Sequence, residues 1–303
     1  MSEISIFQMN NPDFSGEISI RYEEPLSKHT SFRIGGKAKV MAFPKNREEL
    51  ALLLKQSSLL DRKPVILGAG TNVLAPDEGL DGLVICLKDA LDGMERLDER
   101  HIRVMAGVTL SRAAVFAAGQ GLSGLEFAHG IPGTLGGGVF MNAGAYGGEL
   151  GKVCQEVELM DYAGNIITRT AREMDFSYRH SCVEEDNLIV VSAVLELEPT
   201  NPEKIRARMK ELQAKRLASQ PLNYPSAGSA FKRPVGGYAA ALIEQAGLKG
   251  FRVGDAAISE KHAGFAINLG NATSADVKTL LAEVARQVEE NSGIRLEPEI
   301  RIW

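Results

Sequence analysis

The chain has 303 residues, 44% hydrophobic and 24% charged, with a net charge of −5. Such a length predicts two or three domains with room for a packed core, and the charge excludes a generally basic nucleic-acid binder. No run approaches the roughly 18 apolar residues of a membrane helix, no basic-then-apolar leader opens the chain, and Cys86, Cys154 and Cys182 form no C-x-x-C pair, so a reducing cytoplasm is expected.

In chain order, residues 1–22 read as a loosely docked arm. Asn46 caps a helix, with Glu49 at the capping-box position before an apolar run. Pro64–Leu67, Gly82–Leu87 and His101–Met105 read as strands, and Thr109 caps a helix that stops at Gly121. Val153–Met160 and Asn165–Thr170 flank an Asp161–Gly164 hairpin turn, and Leu188–Leu197 is a further strand. Pro199–Pro202 is the clearest linker. Beyond it Asn201 caps a basic amphipathic helix, with Pro202 at its first position and Pro221 past its end. In the last hundred residues Gly237–Gln245 is helical and Gly264–Asn268 is a strand. Thr273 caps a long helix with an apolar stripe of Val277, Leu280, Leu281, Val284 and Val288 for the core, and Ile294–Trp303 is a closing strand. The pattern is α+β.

Several chemistries fail on spacing. Gly68-Ala-Gly70 follows a strand, but Val73 holds the third Rossmann glycine position and Pro76 falls where the helix should run. No Walker A loop occurs. The histidines His29, His101, His129, His180 and His262 show no metal-ligand spacing, so no metal site is expected. Ser229 lacks a nucleophile elbow, because Ala227 holds its first glycine position. Cys182, beside His180, reads as a buried inert thiol.

Glycine is the anomaly: 11 of the 31 fall within Gly121–Gly151. Tight turns explain such crowding, and so does a backbone surface shaped around a ligand. In Gly68–Leu74 and Gly124–Gly147, glycines let amide N–H groups converge into an anion nest suited to a pyrophosphate, and Pro132 stiffens the Gly-Ile-Pro-Gly turn. Two such loops suit a large, extended cofactor.

The segments HTSFRIGG (29–36), GAGTNVL (68–74), GIPGTLGGGVFMNAGAYG (130–147), SYRHS (177–181), GSAFKRP (228–234) and LEPEIRIW (296–303) occur in one order. Over about residues 25–303 the chain thereby resembles the UDP-N-acetylenolpyruvoylglucosamine reductase family, in its shorter type II form. The resemblance implies a two-lobed FAD-binding module of the vanillyl-alcohol-oxidase (PCMH) type followed by a smaller α+β substrate-binding domain. Residues 1–92 and 93–200 are the expected lobes, and 201–303 the substrate domain. It implies non-covalent FAD, NADPH as reductant and a sugar-nucleotide substrate, with no nucleic-acid, membrane or obligatory protein partner.

The implied chemistry is hydride transfer to the terminal methylene of an enolpyruvyl ether, followed by protonation of the adjacent carbon. The developing enolate needs positive charge or hydrogen-bond donors, and the carbon needs a proton donor. The resemblance assigns Arg179 to charge stabilisation and Ser229 to proton donation. It places Glu299 beside the substrate carboxylate, either protonated or relaying through water. For the cofactor it implies Arg33, Gly68, Ala69, Gly70, Thr71, Asn72, Val73, Gly130, Pro132, Gly133, Thr134, Gly137, Asn142 and Gly144. For the substrate it implies Arg216, Lys232, Lys261, His262 and Asn268, with Tyr178 either contacting substrate or stacking under Arg179. Two alternatives stand beside it. One is an oxidoreductase of the same flavin fold acting on an alcohol or hydroxy acid, with His129 a possible covalent flavin attachment. The other is a non-enzymatic nucleotide-binding regulator.

Overall fold

The computed structural model describes residues 18–57 and 62–303. Most of the expected N-terminal arm therefore lies outside the described residues, and Ser19–Pro25 is a β-strand. The chain divides into two compact units. The first holds the described residues to Tyr22, then Val40–Ala69 and Gly82–Gln213; the second holds Glu23–Lys39, Gly70–Asp81 and Ala214–Trp303.

The first unit is built on an antiparallel five-stranded sheet, in spatial order Ile166–Thr170, Cys154–Met160, Ile189–Glu196, His101–Met105, Met94–Arg96. Its central strand, Ile189–Glu196, is buried on both faces up to its last residue, as expected of a run of β-branched and apolar residues with a partner on each edge. Val65–Leu67 pairs in parallel with the Leu80–Cys86 strand. Helix α1 (Arg47–Ser57) buries Leu50, Leu53 and Leu54. Asn46 Oδ1 accepts from Glu49 N at 2.8 Å, and the Glu49 carboxylate reaches back to Lys45 N at 2.7 Å, one residue before the cap itself. Helix α2 (Leu110–Gly119) is capped by Thr109 and buries an alanine face. Helix α3 (Leu135–Phe140) is a single glycine-rich turn and a half, capped by Thr134. Helix α4 (Pro202–Ser219) begins in this unit, where it buries Ile205, Met209 and Leu212 along a narrow stripe.

The second unit has a four-stranded antiparallel sheet in the order Ser226–Ser229, Phe265–Asn268, Ala256–Ile258, Arg252–Val253. Helices α5 (Ala239–Gln245) and α6 (Ser274–Ser292) belong to it. The α6 stripe is fully buried and shares one core with Ile243, Phe32, Ile34 and Leu74. Each such aliphatic side chain contributes about 1.5–3 kcal/mol of burial. Thr273 and Asp276 form a reciprocal capping box. Asp77 adds a second cap from far away in sequence: its carboxylate accepts from Ser274 N at 2.7 Å and Ala275 N at 3.0 Å. Two N–H groups that a helix start leaves without partners are thereby satisfied by an anion at the positive end of the helix dipole. Asp77→Ala is expected to lower stability by about 1 kcal/mol; an unchanged urea midpoint would show that these bonds carry no net weight.

Two expectations need correction. The closing strand is far shorter than Ile294–Trp303: only Arg301–Ile302 pairs, in parallel with Val73–Leu74. Pro298 has no N–H for a ladder, and the segment instead touches Phe231 through one isolated bridge. The linker at Pro199 is also partly strand, because Glu198–Pro199 pairs with Leu122–Ser123. A two-stranded ribbon has only edge strands, where proline is tolerated.

Candidate active site

In the first unit, the strand ending at Leu67 runs into Gly68 and Ala69. A Cβ on Gly68 would stand 2.7 Å from Thr134 Oγ1, so the two glycine-rich segments meet there. Gly70, in the second unit, has φ +61°, and a Cβ on it would stand 2.1 Å from the His29 carbonyl oxygen. No side chain fits that approach. Among the described residues, the N–H groups of Gly68, Ala69, Gly70 and Asn72 donate to no protein acceptor. An unpaired amide is costly unless water or a ligand satisfies it, so this turn fits an anionic group such as a pyrophosphate.

The second glycine segment differs from expectation. Leu135 N donates to Val108 O, Gly136 N to Ala106 O and Gly138 N to Thr134 O, so the amides opening α3 are already paired. A Cβ at Gly136 would meet Ala106, one at Gly138 would meet Leu150 and Leu110, and one at Gly148 would fall within the Phe127 ring. These glycines serve close packing and form no nest. Gly137 is the exposed member, its Cβ position meeting only Thr134 Oγ1 at 3.7 Å. Gly133, at φ +132°, turns the chain before the Thr134 cap, and Pro132 is exposed beside it. Gly130 and Gly144 are half-buried; a Cβ on Gly144 would meet Gly148 O at 2.7 Å. Thr71 and Val73 are half-buried, Val73 in the short strand that pairs with Arg301. Arg33 is exposed at φ +57°, in a turn closed by Arg33 N donating to Thr30 O at 3.1 Å.

Arg179 sits in a four-residue turn of the first unit. Ser177 N donates to His180 O and His180 N to Ser177 O, both at 3.2 Å. Its φ of +56° is left-handed, a conformation rare for a long side chain. The guanidinium carbon lies 5.1 Å from the centroid of the Tyr178 ring, and Tyr178 is 51% exposed. Tyr178 therefore stacks with Arg179, which fits one of its two expected roles. His180 faces Asp175 and Glu185 at 3.5 and 3.9 Å. It does not bond Cys182, whose sulfur accepts from Arg169 Nη1 at 2.8 Å. Burial outweighs that guanidinium and pushes the Cys182 thiol up, as it does Cys86; Cys154 is pushed up to about 12. All three are buried, protonated thiols.

Ser229 and Glu299 both belong to the second unit, on adjacent backbone tracks. Ser229 pairs with Phe265, Ala230 N donates to Gly264 O at 2.8 Å, and Ala230 O accepts from Glu299 N at 2.9 Å. Among the described residues the Ser229 hydroxyl has no hydrogen-bond partner. Asn72 holds the Glu299 segment: its Nδ2 donates to Glu299 O at 3.1 Å and its own carbonyl accepts from Arg301 N at 2.9 Å. Lys232 N donates to Glu297 O, and its ammonium lies 3.6 Å from the Glu297 carboxylate.

The other expected substrate residues divide by environment. Lys261 Nζ donates to Leu217 O at 2.7 Å. His262 Nδ1 accepts from Gly264 N at 3.1 Å, and burial pushes its pKa below the usual 6.5. Arg216 is buried. Asn268 is buried and architectural in its contacts: Nδ2 donates to Phe32 O, and Oδ1 accepts from Gly270 N and Ala272 N. Sequence reasoning missed Asp77 and Ser181. The signal for Ser181 was a hydroxyl just after a tight turn, where it can bind neighbouring backbone; it donates to Phe140 O at 2.8 Å.

Comparison with known proteins agrees with this layout. A model of the FAD binding domain matches residues 38–170, and a model of the UDP-N-acetylenolpyruvoylglucosamine reductase C-terminal domain matches residues 220–303. The UDP-N-acetylenolpyruvoylglucosamine reductase of Caldanaerobacter subterraneus subsp. tengcongensis is 45% identical over 302 residues, covering 100% of this chain and 99% of that protein. The one from Lactococcus lactis subsp. cremoris is 44% identical over 286 residues, 94% of this chain and 95% of its own. The crystal structure of the Thermus caldophilus reductase matches with a TM-score of 0.79 at 35% identity, over 95% of this chain and 99% of that one. Identity at this level along the whole length, with a PCMH-type flavin domain followed by the family's own C-terminal domain, means that the chain belongs to the UDP-N-acetylenolpyruvoylglucosamine reductase family of FAD oxidoreductases.

Proposed function

We propose that the chain catalyses the reduction of the enolpyruvyl ether of UDP-N-acetylglucosamine to UDP-N-acetylmuramate, in the cytoplasm, as a step of peptidoglycan precursor synthesis. NADPH is the reductant, and the FAD is non-covalent. When bound, the cofactor supplies a hydride. The amides of Gly68, Ala69, Gly70 and Asn72 are the donors for its pyrophosphate, a role that fits their lack of protein partners. Thr134, Gly133 and Gly137 line the adjoining loop.

Arg179 stabilises negative charge as it spreads from the substrate carbon into the carboxylate. Ser229 then gives its hydroxyl proton to the carbon beside that carboxylate, and water re-protonates the serine. Addition of one hydride and one proton saturates the double bond. Glu299 lies on the carboxylate side and polarises it. Lys232, Lys261, His262 and Arg216 are the candidates for the diphosphate and uridine. The stretch between Tyr178 and the substrate domain is compact, with only ten residues between Tyr178 and the Ile189–Glu196 strand, which supports the type II form.

The observation that carries this reading is that Ser229, whose hydroxyl has no partner among the described residues, and Glu299 stand on adjacent backbone tracks of one unit, joined through the Glu299 N to Ala230 O bond. Anaerobic NADPH should bleach the bound flavin, and the enolpyruvyl sugar nucleotide should restore its colour. Bleaching by a simple alcohol or hydroxy acid, with no response to the sugar nucleotide, would favour the oxidase alternative.

A further inference from the structure

We propose that Asn142 is the positioning residue for Arg179, a proposal that rests on the role given to Arg179 above. Asn142 is 2% exposed and left-handed, with φ +41°. Its carboxamide is engaged at both ends. Nδ2 donates to the Ser177 carbonyl at 2.9 Å, and Oδ1 accepts from Gly151 N at 2.8 Å. Ser177 opens the turn that carries Arg179. The far side of that turn is held by Ser181, also 2% exposed, whose hydroxyl donates to Phe140 O at 2.8 Å. Phe140 and Asn142 are two residues apart at the end of α3, so one short segment grips the arginine turn before and after it.

Gly151 is part of the grip. A Cβ there would stand 2.8 Å from Phe176 Cβ and 3.2 Å from Asn142 Oδ1. The missing side chain lets the amide and the ring close together. The strain pattern agrees: Asn142, Tyr146, Asp175 and Arg179, none of them glycine, all have positive φ. A left-handed arginine persists only where its surroundings over-determine the backbone, and these bonds supply that determination. Asn142 thereby leaves the cofactor-contact set and becomes the mechanical link between the glycine-rich segment and the guanidinium.

The test is a double-mutant cycle, followed in both half-reactions by anaerobic rapid mixing. Asn142→Gly removes both amide bonds yet accepts the positive φ. It should retain bound FAD, reduce with NADPH within about twofold of the parent, and reoxidise with the sugar nucleotide about 10- to 100-fold more slowly, because a small misplacement suffices for that loss. Substrate affinity, read from the flavin spectrum, should move within about threefold. Arg179→Ala/Asn142→Gly should be no slower than Arg179→Ala alone beyond about twofold, since a positioning residue has nothing left to position.

Asn142→Asp is the second variant. It keeps the acceptor for Gly151 N–H and loses the donor to Ser177 O. Its reoxidation rate relative to the parent should recover as pH falls, when a protonated carboxyl can donate again. Multiplicative slowing in the double variant, equal slowing of both half-reactions, or loss of FAD from Asn142→Gly would each overturn the positioning role. Parental reoxidation by Arg179→Ala would instead remove Arg179 from the chemistry, and the proposal with it.

Discussion

Ser229→Ala leaves flavin reduction by NADPH near the parental rate and slows reoxidation by the enolpyruvyl sugar nucleotide by about 10²–10⁴-fold, the usual weight of a positioned proton donor. The asymmetry between the two halves is the informative part. Reduction by NADPH requires no protonation of a substrate carbon, whereas quenching the enolate does. The substitution removes one oxygen from a residue whose strand is held by main-chain bonds, through Ala230 N to Gly264 O and Glu299 N to Ala230 O. The fold should therefore survive it with a change of no more than about 0.5 kcal/mol. The hydroxyl satisfies no described neighbour, so its loss leaves no orphaned partner. A solvent isotope effect on reoxidation in the parent should shrink or change in the variant. Equal slowing of both half-reactions would remove Ser229 from proton delivery.

Arg179→Gly separates stability from activity. The residue is left-handed at φ +56°, a backbone state that is unfavourable for any side chain and free of penalty for glycine. The variant should be as stable as the parent or more so, by up to about 1 kcal/mol, while reoxidation falls by about 10²–10³-fold through loss of the guanidinium. Strain kept at a working site is removed in such a variant together with the work. Arg179→Lys keeps a charge but not the planar fork, and should recover only part of the rate. A destabilised glycine variant, or one that reoxidises normally, would contradict the assignment.

The local logic of the chain was open to reading. Thr109, Asn46 and Thr273 cap the helices their spacing announces, Asp161 builds its hairpin turn by accepting from Ala163 N and Asn165 N, and the α6 stripe enters the core. Each depends on neighbours within a few positions. Asp77 could not be read that way, because the helix it caps starts 197 residues later. The glycine cluster was ambiguous for a related reason. A glycine that admits Ala106 or Phe127 looks the same in sequence as one that admits a phosphate, and only the incoming neighbour distinguishes them. Asn142 read as a polar donor for a ligand, since nothing near it in sequence reveals that Ser177 and Gly151 arrive to take both ends of its amide. The family motifs nominate candidate site residues, while only the structure gives the neighbours each of them bonds to.

The second unit is assembled from three separated stretches, and its core joins Phe32, Ile34 and Leu74 to the far C-terminus. On the ribosome, those early residues must wait more than 200 residues for the helix that covers them, about 10–50 s at roughly 5–20 residues per second. Throughout that interval their apolar side chains lack the helix that will cover them, and Val73 lacks its strand partner Arg301, which emerges 228 residues later. Nascent chains stalled before Arg301 should therefore remain protease-sensitive around residues 23–39 and 70–81.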